Sequence, residues 1–357
     1  MPIVRSLGNE GESPLKRYAI LVEGEFNYLF AKTANAILRY CPEDVVCIID
    51  STNVGKTSEE VIGYGGDIPI VASVEEAISY KPNKLLIGIA NPGGVLPDSW
   101  RGSIVTAIEN KLEVICGLHF FLNDDPEFSL LAKKHGVNLT DLRRPPLPLP
   151  FSKGTWQGRK TPVFLTVGSD CDTGKMTAAW ELKNLLEANG KTAAFVGTGQ
   201  TGILLGGYGV AVDAVVSDFV AGSIEAEIDK VGGDYDLIIV EGQGSITHMA
   251  YSGVTLGLLH GTMPDFLLMG HEEGRKMDTF NYPMIDFDTI MDLYLRLVRV
   301  FKPCEVVGIG LLTHLMDEGS AKAAVEKYER TYGIPTTDFI RFGSGGVLEN
   351  VLSKLKD

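Results

Sequence analysis

The stretch PVFLTVGSDCDTGKMTAAWELKNLLEANG, residues 162–190, constrains the fold of this chain more than any other. An apolar run feeds a glycine-bounded loop. Apolar positions then recur at Ala178, Leu182 and Leu185/Leu186, one face of a helix that stops at Asn189-Gly190. A strand handing over to a helix in this way belongs to parallel α/β sheets, and it turns backbone N–H groups and the positive helix end toward an anion. Compared with the phosphate-binding pattern G-x-x-x-x-G-K-[ST], two positions are off. Five residues rather than four separate Gly168 from Gly174, and Met176 stands where a hydroxyl follows the lysine. Phosphate gripping by Lys175 survives both changes. Metal-assisted cleavage does not obviously survive them, because that hydroxyl normally binds Mg²⁺ and a thioether is a poor ligand for a hard cation.

The same alternation runs through the whole chain. In the first half YAILVEG (18–24), VVCIID (45–50), KLLIGIA (84–90) and LEVICGL (112–118) read as buried strands. Helices are expected over 29–40, 73–80, 99–110 and 128–136, the last with Gly136 just beyond its end. LRRPPLPLPFSKGTWQGRK (142–160) continues neither a helix nor a central strand, so a stiff connector falls here. The second half restarts with PVFLTVGSD (162–170), an apolar run of about six residues feeding the loop, and gives further strands at 192–197, 236–242, 265–270 and 305–312. The expected architecture is α/β throughout: a Rossmann-like N-terminal parallel-sheet domain (1–145), a Pro-rich linker (146–160) and a P-loop NTPase-like α/β domain (161–357). At 357 residues, two cores are affordable.

Charge narrows the partners. With 32 Lys+Arg against 46 Asp+Glu, the net charge is −14, and no basic run exists to hold nucleic acid or an anionic membrane. No apolar stretch approaches a membrane span, and the N-terminus lacks the apolar core of a signal peptide. Five scattered cysteines fit reduced thiols in a cytoplasm. The expected partners are a small amino acid and a nucleotide-type ligand, and a homo-oligomer is the expected assembly.

Several side chains lie where strands end, the usual ligand-binding edge of an open α/β sheet. The loop supplies Gly168, Asp170, Asp172, Thr173, Gly174, Lys175, Met176 and Thr177, and GTGQTG (197–202) adds Gln200. Glu241 leads into Gly242-Gln243-Gly244 at the end of a strand. Asp213 and Asp218 lie in DAVVSDFVAGSIE, with Asp218 preferred because polar residues within VVSDFVAG need a reason to be there. His248 and His271 are candidates for a base or an orienting donor. Arg275 suits a substrate carboxylate. Cys171, inside the loop, is more readily a small loop residue than an acyl carrier. In the first half, IANPGG (89–94) is the best pocket candidate, and Gly55-Lys56-Thr57 lacks the preceding glycine of a second phosphate loop.

GSDCDTGK resembles the G-x-D-x-x-x-G-K loop of dethiobiotin synthetase and its relatives, and YDLIIVEGQGS (235–245) resembles the V-E-G-x-G that follows there. With VVSDFVAGSIE, EGQGSITH, HGTMPDFLL, IANPGG and DLRRPP, the chain resembles the D-glutamate N-acetyltransferase-like family over nearly its whole length. That family, long catalogued as a domain of unknown function, shares the G-K-M-T departure. The resemblance implies an acetyl-CoA-binding P-loop and N-acetylation of an amino acid such as D-glutamate. Candidate bases are, in order, Glu241, Asp218 and His248, and amides at 242–244 would stabilise an oxyanion. Two alternatives stay open: an ATP·Mg²⁺-dependent ligase of the dethiobiotin synthetase type, with Thr177 and Glu241 at the metal, and a non-catalytic nucleotide sensor.

Overall fold

The computed structural model describes residues 15–355 apart from positions 29 and 91, so the N-terminal stretch, the first residue of the helix expected from 29 and Asn91 of IANPGG lie outside the described residues. The chain divides into two compact units between Asp141 and Leu142.

The first unit carries six strands: β1 (Tyr18–Leu21), β2 (Val45–Ile49), β3 (Ile70–Val71), β4 (Lys84–Ile87), β5 (Glu113–Cys116) and β6 (Leu139–Asp141). They pair in parallel in the order β3-β2-β1-β4-β5-β6, the doubly wound order of a Rossmann-like sheet. β1 is buried along its length, which is why it reads as one unbroken apolar run. The helix Pro126–His135 is capped by Asp125, whose carboxylate accepts from the N–H groups of Glu127 and Phe128, and it ends at left-handed Gly136 as its sequence requires. Other helices are shorter than expected. The first begins at Lys32, the 73–80 segment is helical over Val74–Ala77 before tightening to a 3-10 turn, and the 99–110 segment opens with a 3-10 turn before Arg101–Glu109.

The second unit holds β7 (Val163–Gly168), β8 (Ala193–Gly197), β9 (Tyr208–Gly209), β10 (Leu237–Val240), β11 (Phe266–Glu272), β12 (Glu305–Leu312) and β13 (Thr336–Thr337). Their order is β13-β12-β11-β7-β10-β8-β9, and every pairing is parallel. Val163, Leu165 and Val167 of β7 sit in the core with Val240 of β10, Leu267 of β11 and Ile309 of β12. β7 is flanked by β10 on one side and β11 on the other, so the loops leaving all three strands converge at one edge of the sheet. Among the described residues no helix is long and apolar enough to cross a membrane.

The Pro-rich segment is part of this second unit. The Ser152 hydroxyl (2.5 Å) and the N–H groups of Lys153 (2.7 Å) and Gly154 (3.0 Å) all donate to Glu225 on the helix Val220–Val231. A Cβ on Gly222 of that helix would fall 2.1 Å from the Pro150 carbonyl oxygen, so only glycine lets the segment lie this close.

Candidate functional site

The loop after β7 turns through Asp172 and Gly174, both in the left-handed region, and delivers Lys175 as the first residue of the helix Lys175–Ala188. Lys175 is buried, and its ammonium donates to the Asp170 carbonyl (2.6 Å) and the Thr173 hydroxyl (3.3 Å). Gly168 makes room for this: a Cβ there would lie 2.6 Å from the Thr173 hydroxyl and 2.9 Å from Lys175 Nζ. Burial pushes the Lys175 pKa down, an expense that an anion in the loop would relieve. Two contacts fix the loop from outside. Ser169 N–H donates to Gly270 of β11 (2.9 Å), and the buried Tyr294 hydroxyl donates to the Gly168 carbonyl (3.1 Å) while accepting from Ile246 N–H (2.9 Å). Met176 and Thr177 are partly buried in the first helical turn.

Glu241 follows β10 and lies buried beside this loop. Its carboxylate accepts from the N–H groups of Thr198 (2.9 Å) and Gly199 (3.2 Å) at the end of neighbouring β8. Burial nevertheless dominates, pushing its pKa up to about 7, with those two amides and the Lys175 charge pulling the other way. Gly242 is forced by packing, since a Cβ would sit 1.7 Å from the Thr166 carbonyl oxygen.

GTGQTG runs from the end of β8 into a helix. Gly199 precedes a helix, Gln200–Gly206, and Gly202 is needed because a Cβ would lie 2.1 Å from Glu241 Oε2. Gln200 is buried and accepts from Arg143 (2.6 Å), which also pairs with Asp213. Arg143 stands in DLRRPP, where an arginine beside prolines signals nothing about its partners, and sequence reasoning missed it. Both aspartates are exposed: Asp218 lies in the 3-10 turn Ser217–Phe219, and the charge of Asp213 is felt at Glu241.

From β11 come His271 and Arg275. His271 is buried, its Nδ1 shares a hydrogen bond with the Ser169 hydroxyl (2.8 Å), and Phe287 and Tyr328 wall it in. Burial lowers its pKa, which favours the neutral imidazole. Arg275, the candidate for a substrate carboxylate, follows the strand and is held by the loop. It donates to Asp170 Oδ2 (2.7 Å) and the Cys171 carbonyl (2.8 Å) and pairs with Glu272. His248 is brought to the loop from the other side: Nε2 lies 3.0 Å from the Thr279 hydroxyl and 3.8 Å from Asp170 Oδ1. The His248 ring stacks on Tyr251 at 4.7 Å with Phe280 at 5.1 Å, and both of those rings are partly exposed. Thus the loop, Glu241 and His248 come together at one edge.

In the first unit, the close approach allowed by IANPGG is made by the chain itself. His119 N–H donates to the Gly94 carbonyl (2.9 Å), and a Cβ on Gly94 would meet the His119 ring at 2.6 Å. Thr57 of the rejected triplet caps the helix Ser58–Ile62 in a reciprocal capping box with Glu60.

Comparison with known proteins agrees with both halves of the chain. Residues 150–348 match the model described as "Domain of unknown function (DUF1611_C) P-loop domain", and residues 51–145 match its Rossmann-like N-terminal counterpart, DUF1611_N. A relative from Tritonibacter scottomollicae, named D-glutamate N-acetyltransferase, is 38% identical over 80% of this chain and 86% of its own length. One of the same name from Pseudoalteromonas sp. is 35% identical over 78% of this chain and 84% of its own. The crystal structure of a DUF1611 family protein from Anabaena variabilis superposes with a TM-score of 0.89 at 35% identity, covering 95% of this chain and all of that one. The chain therefore belongs to the DUF1611 family, a Rossmann-like unit followed by a P-loop unit, together with relatives named D-glutamate N-acetyltransferase.

Proposed function

We propose that this protein transfers an acetyl group from acetyl-CoA to the amine of a small amino acid such as D-glutamate. The observation that carries the reading is the kinship, at 35–38% identity over about four-fifths of the chain, with two proteins of that name. The site is consistent with it. The loop offers a lysine and helix-start amides to phosphates, but the residue after the lysine is Met176, so the usual hydroxyl ligand for Mg²⁺ is missing. Coenzyme A needs its phosphates held, not cleaved.

In this reading the amine nitrogen attacks the thioester carbon and gives up a proton to a base. The C–S bond then breaks, and coenzyme A leaves as the thiol. Glu241, with a pKa near 7, is the base best matched to neutral pH, and His248 stands second. The N–H groups of residues 242–244 are the oxyanion donors of this reading. The five cysteines, none in a disulfide, suit a cytoplasmic setting.

Calorimetric titration with acetyl-CoA and with Mg²⁺-ATP, on wild type and Lys175→Ala, tests the ligand. Thiol release dependent on D-glutamate tests the reaction. Acetyl-CoA binding that is lost with Lys175, together with amine-dependent thiol release, is the expected result. Preferential Mg²⁺-ATP binding with no thiol release would overturn it in favour of the ligase chemistry.

A further inference from the structure

Asp170 is fully buried and unevenly satisfied. Oδ2 accepts from Arg275 (2.7 Å) and from Thr279 N–H (3.0 Å), while Oδ1 is buried with no hydrogen-bond partner. A carboxylate oxygen left bare in the interior has lost its hydration with nothing in return, so its environment calls for a cation or donor. What faces Oδ1 is a set of metal-ligating atoms. One from each of Asp170, Cys171 and His248 lies within 4.8 Å of the other two, with Asp170 and His248 buried.

We propose that Asp170 Oδ1, Cys171 Sγ and His248 Nε2 form a binding site for a zinc-class divalent cation inside the phosphate loop. The donor set selects the metal: thiolate and imidazole suit zinc or cobalt and repel a preference for Mg²⁺. The dimensions are close. Ligand atoms around tetrahedral zinc stand roughly 3.3–3.7 Å apart, so the 3.8 Å between His248 Nε2 and Asp170 Oδ1 is nearly there already. The supporting shell has the expected form, with one carboxylate oxygen held by Arg275 and Thr279 and the other presented inward. Three protein ligands leave a fourth position for water or a ligand oxygen, as in sites where zinc activates what it binds.

Binding requires two local proton changes. His248 Nδ1 now accepts a long hydrogen bond from Ala250 N–H (3.2 Å), which places the imidazole proton on Nε2. On metallation that proton moves to Nδ1 and the contacts with Ala250 N–H and the Thr279 hydroxyl are given up, while Cys171 releases its proton to solvent. Two anionic ligands then balance the cation beside Lys175 and Arg275. The spectroscopic readout separates this site from the acyl-transfer reading, in which a metal-bound His248 no longer serves as the second candidate base.

The test is titration of chelator-treated full-length protein with Co²⁺, followed by competition with Zn²⁺. The expected result is one equivalent of Co²⁺ with a tetrahedral visible spectrum and a near-ultraviolet thiolate-to-cobalt band, displaced by Zn²⁺ and not by excess Mg²⁺. Cys171→Ser should abolish the thiolate band, and Asp170→Asn and His248→Gln should each weaken affinity roughly tenfold or more, with circular dichroism confirming that each variant is folded. Should Asp170→Asn fail to fold, Cys171→Ser and His248→Gln decide the matter. Absence of stoichiometric binding at micromolar cobalt, or a spectrum unchanged by Cys171→Ser, would overturn the proposal and leave Oδ1 to an ordered water.

Discussion

The two sheets end in acids that are treated in opposite ways. In the first unit Asp50 follows β2, where a Rossmann-like fold places its ribose-binding acid, but its own chain consumes it. Gly24 N–H (3.0 Å), Thr52 N–H (3.1 Å), the Thr52 hydroxyl (2.7 Å) and the Asn53 amide (2.8 Å) all donate to it. Burial works to raise its pKa, yet these donors prevail and hold it below the ordinary range. In the second unit Glu241 has two amide donors and burial wins, while Asp170 keeps one oxygen bare. A loop that has satisfied its own polar groups is structure. One that has left them wanting is where a ligand has something to gain.

Breaking the contrast at Glu241 should have the largest effect. Glu241→Gln keeps the shape and removes the base, so acetyl transfer should fall by about 10²–10⁴ in kcat with little change in ligand affinity. The wild-type rate should rise with pH through about 7, where Glu241 loses its proton, and the variant should lack that inflexion. Lys175→Met comes next. It should weaken phosphate-ligand binding roughly 100-fold by calorimetry, the loss of one or two charge-assisted hydrogen bonds. Because a buried ammonium disappears, the ligand-free protein should melt no lower than wild type.

Asp50→Asn should cost about 2 kcal/mol in denaturant unfolding of the first unit and leave ligand affinity in the second unchanged. The two acids also oppose each other with pH. Asp50, depressed, contributes stability above its unfolded pKa that is lost as pH falls through the folded one. Glu241, raised, makes the fold less stable as pH climbs from 4.5 to about 7, by up to on the order of 3 kcal/mol, and Glu241→Gln should abolish that decline. The smallest effect is expected from Met176→Ser, which should tighten Mg²⁺-nucleotide binding a few-fold; unchanged affinity would mean the lost hydroxyl is not what sets the loop's ligand.

The long strands were legible because buried parallel strands are continuous apolar runs, and nine such runs appear where the structure has β1, β2, β4, β5, β7, β8, β10, β11 and β12. The short strands β3, β6, β9 and β13 were not, since two or three residues carry no periodicity. The helix Gln200–Gly206 was hidden by glycines that serve packing against Glu241 rather than a turn. The phosphate loop and Glu241 could be read from local pattern alone. What the sequence could not show is which aspartate is drawn into the site's charge network: both end exposed, and it is Asp213 that pairs with Arg143. Asp213 and Asp218 look alike in one dimension, and the approach of His248 to Asp170 exists only because β7 lies between β10 and β11.

The attachment of residues 152–154 to Glu225 bears on how the second unit can be separated or grafted. Glu225 is almost wholly enclosed, and burial alone would raise its pKa; the donors from Ser152, Lys153 and Gly154 are what keep it below the ordinary range. A fragment beginning at residue 161 would strip that carboxylate of them and expose the face of Phe219 now covered by Phe151, whose ring lies 4.6 Å away. One beginning at Leu142 keeps both, along with Arg143 and its grip on Gln200. The prolines are thus less a hinge between modules than the first lap of the second one, and transplanting the P-loop unit into another protein means carrying them along.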